Sequence, residues 1–308
     1  MQQPPSASQS VAERVRSDVP GLPGPGGGRR DLLALVRQTF VGQYTVEGEI
    51  GRGGAARVFL AQDRSGRRVA LKILRPECLA SVATDRFLRE IEFTARLKHP
   101  HIAELLDSGE TDWLVYYVMP FVEGPSLREL ISSRRQFTVA DTLRIGCELL
   151  DALGHAHECG IIHRDVKPEN VILSPKLGVV LLDLGIARAI ISSITERITR
   201  TDVAVGSSAY MSPEQINASQ EIDARSDLYA VGCILFECLV GRPPFVRRQE
   251  VVVLQLHLTE PAPDVRAFRP DVPPNLAAAI ATALAKRPEE RCQSAHEMQN
   301  ILGSCAAV

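Results

Sequence analysis

The sequence predicts an α+β chain in which a small, strand-rich half precedes a larger, mainly helical half. Three observations predict it. Between Tyr44 and Met119, short apolar runs are separated by turn residues, the pattern of antiparallel strands. After Ser126 the apolar residues recur at helical spacing, punctuated by capping signals. Between two apolar runs of the second half, "GIIHRDVKPENVIL" (160–173) gathers His163, Arg164, Asp165, Lys167 and Asn170, more charge than packing calls for.

Composition bounds the reading. Of 308 residues, 45% are hydrophobic and 23% charged, which supports a folded body and excludes disorder throughout. The net charge of -2, with both signs mixed along the chain, offers no basic stripe, so neither nucleic acid nor a membrane surface is an expected partner. The seven cysteines (Cys78, Cys147, Cys159, Cys233, Cys238, Cys292, Cys305) contain no CxxC pair and read as reduced thiols of a cytoplasmic protein. No apolar run approaches the roughly 18 to 20 residues that span a bilayer, and the N-terminus lacks a signal-peptide pattern. A chain with no membrane segment and a cytoplasmic location is expected, compatible with an anchor in a longer parent.

The elements follow in order. Residues 1–43 read as a Pro/Gly/Ser-rich tail ending in "GLPGPGGGRR", too poor in apolar residues to offset the entropy of ordering. Its last part, 31–40, offers a short helix with Leu32, Leu35, Val36 and Phe40 on one face. In 44–119, "YTVEGEI", "ARVFLA", "RRVALKIL", "IAELLDSGE" and "WLVYYVM" read as strands, and one helix interrupts them at "TDRFLREIEFTARL", with Phe87, Ile91 and Ala95 in a stripe and Glu90 off it. A crossover at 120–125 leads to the helical half, 126–303, and a tail, 304–308. There Thr138 and Asp141 open a helix as a capping box and Gly160 closes it. "SDLYAVGCILFECLVG" forms a second long helix with Leu228, Val231, Leu235 and Leu239 toward a core. "SAHEMQNIL" begins with a second box, Ser294 to Glu297.

The chemistry-bearing residues come next. In "GRGGAARVFLAQD", Gly51, Gly53 and Gly54 let backbone pass close to a bulky anion. A dinucleotide-binding turn requires a helix after the glycines, whereas a strand follows here, so a glycine-rich hairpin over phosphates or a plain tight turn remain. Lys72, inside "VALKIL", either points to solvent or finds a partner, Glu90 being a candidate, because an unpaired buried ammonium is costly. Asp165 lies in a loop after a helix and can accept a proton. Asn170 and Asp183 stand at the two ends of a hairpin, and hard oxygens of that kind suit Mg²⁺. Lys167 can neutralise a phosphoryl group nearby. His155 and His157, two apart on a helix, point to different sides, so a metal pair is not expected, and His157 is expected to pack and hydrogen-bond.

With these motifs in hand, residues 44–303 resemble a eukaryotic-type (Hanks-type) serine/threonine protein kinase of the bacterial branch. The resemblance rests on "GRGGAARV", "VALK", Glu90, "HRDVKPEN", "DLG" for the usual DFG and "YMSPE" for the usual APE. It implies a bilobal fold, a small antiparallel β-sheet lobe (44–119) with one helix, a hinge (120–125) and a larger α-helical lobe (126–303), with the active site in the cleft between. It also implies the roles. Lys72 would hold the α and β phosphates of ATP and pair with Glu90. Asp165 would deprotonate the substrate hydroxyl with Lys167 beside it, and Asn170 and Asp183 would bind Mg²⁺, with Mn²⁺ as a substitute. Ile50, Gly51, Gly53, Gly54, Val58, Ala70 and Ile172 would surround ATP, and Met119, Pro120 and Val122 would form the gatekeeper and hinge contacts. Lys167 favours serine/threonine over tyrosine substrates.

By the same resemblance His163, Asp227, Glu214 and Arg291 are structural, with Glu214 pairing Arg291 and Asp227 anchoring the catalytic loop, and Ser207 docks the substrate. Thr199 and Thr201 are expected autophosphorylation sites, with Arg164 as the residue that would pair with the added phosphate and Arg188 and Arg200 close in sequence. Leu184, Ser207 and Ala56 depart conservatively from the family's usual Phe, Thr and Gly. The expected partners are protein substrates, ATP and a second copy for trans-autophosphorylation in signal transduction. Two other readings stand beside this one: a catalytically silent kinase-like scaffold, and a small-molecule phosphotransferase, which would not need "YMSPE".

Overall fold

The computed structural model of the chain describes residues 29–53, 56–74, 94, 97–111, 114–134, 136–184, 207–219 and 221–305. Most of the expected tail, Gly54, Cys78, Thr199, Thr201, Arg188, Arg200 and nearly all of the helix expected over 84–97, with Glu90, lie outside the described residues. Two compact units emerge. Of the described residues, the first takes those up to Thr94 together with 104–121, and the second takes 97–103 and all those from Val122 onward.

The first unit holds α1 (Arg29–Thr39) and β1 (Thr45–Arg52), β2 (Ala56–Gln62), β3 (Arg68–Leu74), β4 (Asp107–Glu110) and β5 (Val115–Pro120). The strands form one antiparallel sheet in the order β1-β2-β3-β5-β4. The strand period sorts its side chains onto two faces. Phe59, Ala61, Val69, Leu71, Ile73, Tyr116 and Val118 pack with Val36 of α1 and Phe40 just beyond it into one apolar cluster. Val58, Ala70, Lys72, Tyr117 and Met119 alternate with them, and Val58 stands opposite Lys72, which stands opposite Tyr117.

One expected strand is divided. Of "IAELLDSGE", Asp107–Glu110 forms β4, and the Leu106 N–H donates to the Val118 carbonyl of β5 at 2.8 Å. Ile102 forms a parallel bridge to Leu181, Ala103 N–H donates to the Leu181 carbonyl at 3.0 Å, and Leu181 N–H donates to the His101 carbonyl at 2.8 Å. Those backbone groups are satisfied by the second unit's hairpin, so Ile102 and Ala103 pair there rather than in the strand of the small sheet in which they were expected.

The second unit holds α2 (Leu127–Arg134), α3 (Val139–Glu158), β6 (Val171–Ser174), β7 (Gly178–Leu181), α4 (Pro213–Ile216), α5 (Arg225–Val240), α6 (Glu250–Thr259), α7 (Pro274–Ala283) and α8 (Ala295–Cys305). Helix α3 begins where Thr138 Oγ1 accepts the Asp141 N–H at 3.0 Å. Its carboxylate takes the Thr138 hydroxyl, so the box is half formed. At α8 the Glu297 carboxylate takes the N–H of Gln293 instead of Ser294, and the helix runs through buried Cys305, past the expected end at 303.

Helix α5 departs most from expectation. Every residue from Ser226 to Leu239 is buried, not one stripe, because α3 and α7 flank it and further segments cover the rest. Such a helix reads apolar all round. Gly232 makes the α7 contact close: a Cβ there would lie 2.9 Å from the Cβ of Ala283. Gly232→Val is expected to lower the unfolding free energy by about 3 kcal/mol through overpacking, read as a shifted urea midpoint at unchanged slope.

Candidate catalytic site

The site of the second unit begins with a buried carboxylate. Asp227, in the first turn of α5, is 1% exposed, and a buried charge is tolerated only when hydrogen-bonded. Its Oδ1 accepts the Arg164 N–H at 2.8 Å, and its Oδ2 accepts the His163 N–H at 2.9 Å and meets His157 Nε2 at 2.8 Å. Three donors from the end of α3 and the loop after it are thereby tied to α5. Arg164 sits at φ 62°, a strained conformation for a non-glycine residue. Its carbonyl accepts from Gln215 Nε2 at 2.8 Å, while Gln215 Oε1 accepts the Ser212 N–H in the capping box that opens α4.

His163 is fully buried, and both its ring nitrogens are committed. Nε2 lies 2.9 Å from the Leu182 carbonyl, which accepts only from an N–H, and Nδ1 accepts the Asp165 N–H at 3.2 Å. Together the two bonds select the neutral ring with the proton on Nε2. The Asp165 carboxylate meets Lys167 Nζ at 2.8 Å and Asn170 Nδ2 at 3.3 Å, and Asn170 Nδ2 also donates to the Asp165 carbonyl at 2.8 Å. With its amide nitrogen so engaged, Asn170 has Oδ1 to offer a cation. The β6–β7 hairpin pairs Val171 with Leu181, and Leu182 N–H donates to the Asn170 carbonyl at 2.8 Å. This sets Asp183 one residue beyond that bond, at φ 55°. An amide oxygen and a carboxylate make a hard-oxygen donor set of the kind Mg²⁺ takes. Among the described residues there is no His/Cys/Asp/Glu group of three or more arranged to hold a metal. Leu184 is buried in the helical core.

In the sheet unit, Lys72 lies on the face opposite the apolar cluster, its Nζ 5.5 Å from the Tyr117 ring centre, together with Val58, Ala70 and Met119. Pro120 closes β5 opposite Val69, and Phe121 N–H donates to the Arg68 carbonyl at 3.1 Å. Ile50 is half-exposed on β1. Gly51 and Gly53 are informative because the fold does not require glycine at either. Neither has positive φ, and an added Cβ would meet its neighbours at ordinary contact distances of 3.5 and 3.6 Å. Their missing side chains leave room for something outside the sheet. Val122 and Ile172 belong to the second unit, where Ser126 bridges Ile172. Gly124 holds φ 138°, and a Cβ there would collide with the Leu173 carbonyl.

Two networks, one buried and one partly exposed, support the segment after the site. Arg291, its side chain fully buried, meets Glu214 through two bonds of 2.8 and 2.9 Å, and its remaining N–H groups reach the carbonyls of Ala285, Lys286 and Arg225. Burial pushes the Glu214 carboxyl up, but Arg291 and the Ser226 hydroxyl outweigh it and hold it below the usual range. The second network was not foreseen from the sequence. Arg128 of α2 meets Glu169 and buried Glu237 of α5 at 2.8 Å each, and it also bonds the Tyr210 hydroxyl, which itself donates to Glu237. Burial, then Glu237, pushes that hydroxyl far above its ordinary range. Ser207 opens the short 3-10 turn Ser207–Tyr210, and Ser208 donates to Glu250 at 3.0 Å. Among the supporting residues that the sequence did not single out, Arg128, Glu237 and Gln215, only Gln215 carries a local signal, the Ser-x-x-Gln capping pattern.

Asp227→Asn sets an amide N–H against inward-pointing donors and is expected to cost about 2 to 3 kcal/mol, measured by denaturant titration. For Glu214, a folded-state pKa below the unfolded value means stability that is present at neutral pH and lost as pH falls through the folded pKa. Glu214→Gln is therefore expected to lower stability at pH 7 and to flatten its fall between about pH 5 and 3, followed by thermal melts across that range.

Residues 44–302 match the protein kinase domain model. A probable serine/threonine-protein kinase of Streptomyces coelicolor is 41% identical over 271 residues, covering 86% of this chain and 40% of the relative. The probable serine/threonine-protein kinase PknB of Corynebacterium glutamicum is 39% identical over 277 residues, 86% of this chain and 43% of the relative. The serine/threonine-protein kinase PknB of Mycobacterium tuberculosis (strain H37Ra) is 40% identical over 267 residues, 83% and 42%. The chain thus spans about two fifths of the length of these relatives. No described helix is long and apolar enough to cross a membrane. With the family model covering most of its length, the chain belongs to the protein kinase family, in its bacterial serine/threonine branch.

Proposed function

We propose that the chain transfers the γ-phosphoryl group of ATP to serine and threonine hydroxyls of proteins, its own residues Thr199 and Thr201 included. The observation that carries this is the Asp165 carboxylate, held between Lys167 and Asn170 on backbone that Asp227 and His163 fix in place. Positioning and charge stabilisation do most of the work in phosphoryl transfer, since its transition state spreads charge over the moving group. Asp165 accepts the hydrogen bond of the incoming hydroxyl and orients its oxygen at the γ-phosphorus. As the new O–P bond forms, the bond from the γ-phosphorus to its bridging oxygen breaks, ADP departs, and the hydroxyl proton passes to Asp165. Lys167, already against Asp165, offsets charge on the moving group. Lys72 holds the α and β phosphates, and Gly51 and Gly53 admit the phosphates close to backbone. Mg²⁺, or Mn²⁺ in its place, would be held by Asn170 Oδ1 and the Asp183 carboxylate and would neutralise phosphate charge.

The relatives' names support serine/threonine kinase chemistry. A silent scaffold and a small-molecule phosphotransferase are separated by one assay, label transfer from ATP to the chain itself and to a generic basic protein. Asp165→Asn is expected to lower transfer by about 10² to 10⁴ while MgATP affinity, read by thermal shift, stays within about twofold. Label on Thr199 or Thr201, found by mass spectrometry and absent in Asp165→Asn, supports self-modification. Equal labelling by both forms would remove Asp165 from the chemistry, and ATP binding with no transfer to any protein would favour the scaffold.

A further inference from the structure

Helix α1 lies before the segment that matches the kinase family model, yet it is built into the sheet. Val36 is fully buried and Phe40 is 1% exposed. The Phe40 ring packs edge-on against Tyr116 of β5, with centres 4.8 Å apart. One turn earlier, Arg37 reaches the opposite side of the sheet, donating from Nε to the Val46 carbonyl at 2.9 Å and from Nη2 to the Glu47 carbonyl at 2.6 Å. The connection to β1 is fastened as well, by Arg64 Nε on the Gly42 carbonyl at 2.7 Å.

Strand β1 needs such support. It stands at the edge of the sheet with β2 as its one ladder neighbour, and the β1–β2 register shifts twice, between Val46 and Gly48 and between Glu49 and Gly51. A bulge locally disrupts the ladder, so a twice-interrupted edge strand gains from donors outside the sheet. Arg37 supplies them at the start of the strand that ends in the glycine turn. Anchored on β5 and clamped to β1, α1 ties together the two sides of the sheet that carries Gly51, Gly53, Val58, Ala70, Lys72 and Met119.

We propose that α1 is a brace that sets the nucleotide-holding face of the sheet, with Arg37 as a positioning residue for ATP. This rests on the proposed kinase reading. The test uses the full chain, comparing wild type with Arg37→Ala and Arg37→Lys, in MgATP dissociation constant by calorimetry, in KM for ATP and for a protein substrate, and in Tm. Arg37→Ala is expected to weaken MgATP binding and raise KM for ATP by about fivefold, with KM for the protein substrate unchanged and partial rescue by Arg37→Lys. A lowered Tm with both KM values unchanged would make α1 merely structural and overturn the proposal, as would unchanged ATP affinity. If the wild type binds MgATP without transferring phosphate, the kinase reading fails and the dissociation constants alone decide the role of Arg37. If it binds no MgATP, both fail.

Discussion

The loop of charged residues in the second unit depends on one buried carboxylate. Asp227 has little contact with water, and its two oxygens are filled by the N–H groups of His163 and Arg164 and by the ring of His157. Because α5 is buried along nearly its whole length, whatever is hydrogen-bonded to its first turn inherits its fixed position. The loop that carries Asp165 is therefore held by the core at its root, while Asp165 and Lys167 themselves stay partly exposed. A core-anchored root with a reachable tip suits a group that must meet a substrate in one geometry.

That anchoring also explains how the chain sustains unfavourable backbone. Arg164 and Asp183 both take left-handed φ values without being glycine, at a cost on the order of 1 to 3 kcal/mol each. Around Arg164 the cost is offset by bonds to its N–H from Asp227 and to its carbonyl from Gln215. Asp183 follows Leu182, whose N–H and carbonyl are engaged by Asn170 and His163. The strained residues flank the charged ones, and each is pinned by buried polar groups that an apolar core would not need. Gly51 and Gly53 show the reverse, relaxed backbone that has given up side chains it had room for.

The paired networks of Arg291 and Arg128 extend the same principle to the segment from Ser207 to Gln215. Arg291 distributes its donors over Glu214 and three carbonyls, so breaking it would leave several buried groups unpaired. Arg128 links α2, Glu169, Tyr210 and Glu237, joining the Ser207–Tyr210 turn to α5. Both arginines tie that segment to the helix that holds Asp227, so the stretches on either side of Asp165 share one support.

Local patterns were legible in the sequence. The change of apolar period separated strands from helices, and Thr138 and Gly160 bounded α3, because side-chain period and caps are properties of neighbouring residues; "HRDVKPEN" and "DLG" pointed to candidate residues through their likeness to a family. Tertiary structure decided the rest. It divided "IAELLDSGE", since the backbone of Ile102 and Ala103 found its partner at Leu181. It buried α5 on every side, which an apolar stripe does not foretell. It also drew Arg128 to Glu237 and Arg37 to Val46. The physical reason is common to all four: a hydrogen bond or packing contact between distant stretches depends on which partner the rest of the chain delivers, and local period carries no record of that choice.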